Sequence, residues 1–115
     1  MSAAKVKAEQ IIADNGVVVF SKSYCPHCNE TKALLNSQGA KYFTMELDKV
    51  GKEKWETDVL EMVDDGPAIQ DALQQLTKQR TVPNIFINHQ HIGGNSDLMA
   101  RSSQLPQLLK DAGAL

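Results

Sequence analysis

Val17, Val18, Val19 and Phe20 are four consecutive β-branched or aromatic residues with no polar side chain to turn toward water. Such a run fits a strand buried on both faces, and it requires packed elements above and below its sheet. The neighbouring segments supply them. Ala4, Ala8, Ile11 and Ile12 fall at i, i+4, i+7 and i+8, an apolar helical stripe closed by Gly16. After the strand, a polar loop from Ser21 to Tyr24 leads to Cys25. Pro26 then stands at the first position of a helix expected from about Pro26 to Ser37, where its missing N–H costs nothing, and Gly39 ends that helix. Tyr42 to Leu47 predicts a second strand. A strand–helix–strand order this short predicts parallel strands joined by a right-handed crossover.

Pro67 opens a further helix with the stripe Ile69, Ala72, Leu73 and Leu76. Asn84 to Asn88 (NIFIN) predicts a third strand, with a tight turn at His89–Gln90. His91–Ile92 then forms an antiparallel edge strand that stops at Gly93–Gly94. A last helix carries Leu105, Leu108, Leu109 and Ala112, with Pro106 near its start. The expectation is α/β: a small mixed sheet covered by helices, in one domain over residues 1–115. Asp48 to Asp65 is long for a connection. Trp55, Val59, Met62 and Val63 lie at helical spacing, which favours an amphipathic surface helix anchored by Trp55; a partner-docking face is the alternative.

Composition narrows the function. Twelve Lys plus Arg against fourteen Asp plus Glu gives net −2 over 115 residues, which argues against nucleic acid or an anionic membrane held by charge. No apolar run approaches the length of a spanning helix, and the first residues do not resemble a signal peptide, so a cytoplasmic protein is expected. Cys25 and Cys28 are the whole cysteine inventory. A structural zinc site needs four ligands, and a secreted disulfide scaffold would carry more cysteines at wider spacing. Thiol redox chemistry remains.

Cys25 stands at a helix mouth, where free N–H groups and the macrodipole favour negative charge, and Lys22 lies three residues before it. Both favour the thiolate, the attacking species in disulfide exchange. Cys28 lies one turn further in on the same face, at a spacing a Cys25–Cys28 disulfide can close. Cys25 is therefore the expected nucleophile and Cys28 the shielded resolving thiol. His27 has two readings: an imidazolium that tunes the pair, or an exposed residue that lines the site by shape. His89 and His91 flank a turn with no ligand cluster nearby in sequence, so no metal is expected there.

The segments Lys22-Ser23-Tyr24-Cys25-Pro26-His27-Cys28, Gln79-Arg80-Thr81-Val82-Pro83 and Gly93-Gly94-Asn95-Ser96-Asp97 together resemble a dithiol glutaredoxin. The likeness covers nearly the whole chain except an insertion at Gly51 to Val63. It implies the thioredoxin fold, a four-stranded mixed β-sheet flanked by helices. It also implies a glutathione-dependent thiol–disulfide oxidoreductase, with glutathione as co-substrate and Cys25–Cys28 as the redox-active disulfide. Expected partners are glutathionylated and disulfide-containing proteins; a monomer without nucleic acid or membrane partners is expected. By the same resemblance, Pro83 matches a cis-proline that frees the Val82 backbone to pair with glutathione. Lys22 and Gln79 match holders of the glycyl carboxylate. The Ser96 and Asp97 N–H groups match those that bind the γ-glutamyl carboxylate, and the Asp97 side chain the group that holds its ammonium. His27 replaces a more common Tyr beside the glutathione contact, Asn95 a frequent Cys, and Lys78 a frequent Gly. The alternative implied by the family is a glutathione-ligated [2Fe–2S] carrier, which Pro26 disfavours.

Overall fold

A computed structural model describes residues 3–47 and 66–115. The proposed helix at Trp55, Val59, Met62 and Val63 and the Gly51 to Val63 insertion lie outside the described residues. Five helices and four strands follow one another among the described residues: α1 (Ala3–Asp14), β1 (Val17–Ser21), α2 (Pro26–Ser37), β2 (Phe43–Glu46), α3 (Gly66–Thr77), β3 (Asn84–Ile87), β4 (Gln90–Gly93), α4 (Asn95–Ala100) and α5 (Leu105–Asp111).

The strand order is β2-β1-β3-β4, with β1 parallel to β2 and antiparallel to β3, and β3 antiparallel to β4. All five residues of β1 are buried, as its unbroken apolar run requires. Alternation splits them between two cores. Val18 and Phe20 pack with Ala8 of α1, Ile69 and Leu73 of α3, and Phe86. Val17 and Val19 pack on the other side with Leu35 of α2, Leu98 of α4, and Leu105 and Leu109 of α5. Phe20 and Phe86 meet edge to face with ring centroids 5.9 Å apart, a favoured aromatic geometry. The sheet is thus a partition: α1 and α3 cover one face, α2, α4 and α5 the other.

Three local expectations shift. Ser21 ends β1 instead of opening the loop, because it pairs in register with Glu46 of β2. The hairpin turn sits one residue earlier than expected, at Asn88 and His89, whose φ values are 53° and 67°. A two-residue turn matching the strand twist needs positive φ at both positions, and Asn tolerates that better than most residues. β4 therefore begins at Gln90 and runs to Gly93. Finally, the C-terminal segment is two helices, α4 and α5, joined through Arg101, which caps α4.

Candidate active site

The loop after β1 carries Cys25 in an extended conformation (φ −88°, ψ 116°) that caps α2, with Pro26 in the first turn. The Cys28 N–H donates to Cys25 Sγ at 3.2 Å, so a sulfur stands where a cap oxygen usually does. The Cys25 N–H donates to the Lys22 carbonyl at 3.1 Å, closing the loop against its own start. On its other side Cys25 Sγ lies 3.9 Å from the Val82 carbonyl, next to the cis Val82–Pro83 bond. The two thiols are free and unequal: Cys25 is half-buried, and Cys28 is fully buried. Burial first, then the hydrogen bond with Cys25, pushes the Cys28 thiol up to about 12; a backbone hydrogen bond at Lys22 and the Lys32 charge pull the other way. Cys28 is therefore a protonated thiol at neutral pH.

The segment 79–83 is fixed from α3. Lys78 leaves that helix at φ 67°. The Arg80 guanidinium pairs with Asp71, and Gln70 Nε2 donates to the Arg80 carbonyl at 3.1 Å. Gln79 Nε2 donates to the carbonyls of Thr81 and Pro83, both at 3.1 Å, and so clamps the turn that presents Val82. A glycyl carboxylate at Gln79 would have to exchange with those internal bonds.

The third segment turns at Gly93, whose φ is 122°; a Cβ there would meet Asp97 Oδ2 at 2.3 Å. Glycine is required on both counts. Asp97 Oδ2 accepts the Gly94 N–H at 2.9 Å, half of a capping box at the start of α4. A cavity of about 300 Å³ then opens between the three segments, with His27, Val82, Pro83 and Ser96 among its walls. Four of the residues expected from the sequence thus share one cavity, while Cys25, Cys28, Lys22, Gln79 and Asp97 stand outside its lining.

His27 is an exposed wall residue. Its ring, 74% exposed, lies with Nδ1 3.0 Å from Glu30 Oε1, so it faces that carboxylate. The same Glu30 oxygen accepts from Asn95 Nδ2 at 3.1 Å, and Asn95 Oδ1 accepts from the buried Thr31 hydroxyl at 2.7 Å. Glu30, Thr81, Gly94 and Asn95 complete the cavity wall, and sequence reading missed Glu30, Thr81 and Asn95 as site residues. The i, i+3 spacing of His27 and Glu30 was the available signal. The contacts of Asn95, 64 and 65 residues away in sequence, left none.

Comparison with known proteins gives a consistent result. The glutaredoxin family profile matches residues 17–92. A glutaredoxin of Ricinus communis is 45% identical over 114 residues, covering 97% of this chain and 99% of the relative. A crystal structure of a buckwheat glutaredoxin–glutathione complex superposes with a TM-score of 0.80 at 41% identity, over 97% of this chain and 92% of the other. A wheat glutaredoxin structure gives 0.82 at 45% identity, over 98% and 96%. The shared architecture is the thioredoxin-type fold, as expected.

Proposed function

The chain belongs to the glutaredoxin family and is a glutathione-dependent oxidoreductase, and we propose that it acts on protein–glutathione mixed disulfides and on small and protein disulfides. What carries the reading is the pairing of a half-buried Cys25 with a fully buried Cys28 beside a cavity walled by Val82, Pro83 and Ser96. The Cys25 thiolate attacks the glutathione sulfur, the protein thiol leaves, and glutathione remains on Cys25. A second glutathione releases the enzyme as the thiolate and glutathione disulfide forms. With an intramolecular protein disulfide, Cys28 attacks the Cys25–substrate bond instead, and the Cys25–Cys28 disulfide results.

Glutathione lies extended along Val82, whose backbone pairs with it as an added strand would. Its γ-glutamyl end reaches Ser96 and Asp97, and its glycyl end faces Lys22 and Gln79. One domain over residues 1–115 and a cytoplasmic site of action are part of this proposal; no helix among the described residues is long and apolar enough to cross a membrane. The test is a glutathione-coupled assay on a glutathione mixed disulfide. Wild type turns over and Cys25→Ser falls to background; turnover by Cys25→Ser at the wild-type rate overturns the assignment.

A further inference from the structure

Cys28 has a task its surroundings oppose. Its thiol is fully buried, yet it must lose a proton before it can attack a disulfide at Cys25. Among the described residues, the charged groups bearing on it are Cys25, one turn before it, and Lys32, one turn after it on the same face of α2. The Lys32 ammonium is held in place. Its Nζ donates to Glu46 Oε2 at 2.5 Å, and the other Glu46 oxygen accepts from the Ser21 hydroxyl, fully buried at the end of β1. Sheet register sets this up, since Ser21 and Glu46 are direct partners across β1 and β2. The Lys32 and Glu46 side chains are only 20% and 25% exposed. Desolvation offsets much of the attraction in so sheltered a pair, so its net stabilisation is small. The same shelter weakens screening, so its charge is felt nearby.

We propose that Lys32, held by Glu46 and Ser21, is a positioning residue for the resolving step, supplying the positive charge that favours the Cys28 thiolate as it forms. The inference rests on the reading of Cys28 as the resolving thiol. With glutathione on Cys25, Cys28 gives its proton to water and its sulfur bonds to Cys25 Sγ. The Cys25–glutathione bond breaks, and its electron pair leaves on the glutathione sulfur, which is then protonated. One disulfide forms as another breaks, so no outside oxidant or reductant enters.

The experiment loads the full chain with glutathione on Cys25 and follows release of free glutathione in single turnover across pH. Lys32→Met slows release about tenfold between about pH 6 and 9, where Cys28 is still protonated and each pH unit changes its thiolate fraction tenfold, so its log-rate profile is displaced about one unit toward alkali. Lys32→Arg restores the wild-type profile. Glu46→Gln keeps one oxygen for Lys32 and an amide group that can donate to the Ser21 hydroxyl, but removes the compensating negative charge, so its release is faster than wild type. Opposite shifts are the signature, because simple loosening moves both variants the same way; the Glu46→Gln shift still decides if Lys32→Met does not fold. Profiles that superimpose on wild type, or Lys32→Met and Glu46→Gln moved in the same direction, overturn the proposal. Wild type that releases no glutathione at all refutes instead the resolving role of Cys28.

Discussion

Helices α2 and α4 both contribute first-turn residues to the wall of one cavity, but α2 is capped by a sulfur and α4 by a carboxylate. At α2 the Cys28 N–H has only Cys25 Sγ, a weak acceptor whose bond is easily given up. At α4 the Gly94 N–H donates at 2.9 Å to a carboxylate oxygen of Asp97, a bond of the stronger kind. The first start is left loose so that its cap can form a covalent bond. The second is fixed so that its N–H groups and carboxylate keep one geometry. Reaction and recognition are thus separated onto two helix starts, and the difference lies in the capping atom.

The largest effect that could break this comparison lies within the α2 start. Only Cys25 caps it, so Cys28→Ser retains most turnover of glutathione mixed disulfides, or gains by losing the off-pathway Cys25–Cys28 disulfide. It loses most activity toward intramolecular protein disulfides, where the tethered substrate thiol reverses the first step unless Cys28 traps it. Parallel assays on the two substrate types measure this. Abolished mixed-disulfide turnover with the fold intact would show that the two thiols do not divide the work.

A smaller effect sharpens the α4 side. Asp97→Ala raises KM for glutathione mixed disulfides by about ten- to a hundredfold, the roughly 1.5–3 kcal/mol of a hydrogen bond to a charged group. Alkylation of Cys25 by a small reagent keeps its wild-type rate. An unchanged KM would mean the Asp97 carboxylate serves α4 as a cap and nothing more.

The smallest effect concerns a helix end outside the pair. Lys78 leaves α3 at φ 67°, a left-handed conformation that costs a residue with a Cβ about 1–2 kcal/mol. Glycine loses more backbone entropy on folding, so the net gain for Lys78→Gly is about 0.5–1 kcal/mol in chemical denaturation. A loss of stability would show that Lys78 contributes contacts that outweigh its backbone conformation.

Where the chain states its structure in short-range pattern, the sequence could be read. The Val17–Phe20 run, the Ile69, Ala72 and Leu73 stripe, and Pro26 with Gly39 around α2 all became the elements they imply, because each depends on periodicity or on one residue's backbone freedom. The hairpin turn was displaced by one residue, since Asn88-His89 and His89-Gln90 are almost equally plausible as strings and only the strand register decides between them. At the site, both cysteines and the cavity residues Val82, Pro83 and Ser96 came from recognisable segments. The Ser21–Glu46–Lys32 group did not, as its members meet across 25 and 14 residues with no periodic trace. The Gln79 clamp was equally hidden: the sequence marks the residue but not that its amide is occupied by its own loop.

The bracket formed by Thr31, Asn95 and Glu30 has a consequence for how the molecule opens. A helix of six residues such as α4 has almost no stability alone in water. Its first turn is held to α2 by two side-chain hydrogen bonds from one amide, and its Leu98 is buried in the core that also holds Leu35 of α2. Unfolding of α2 removes both bonds and part of the packing around Leu98, so α4 comes undone whenever α2 does, although sheet strands separate the two helices along the chain.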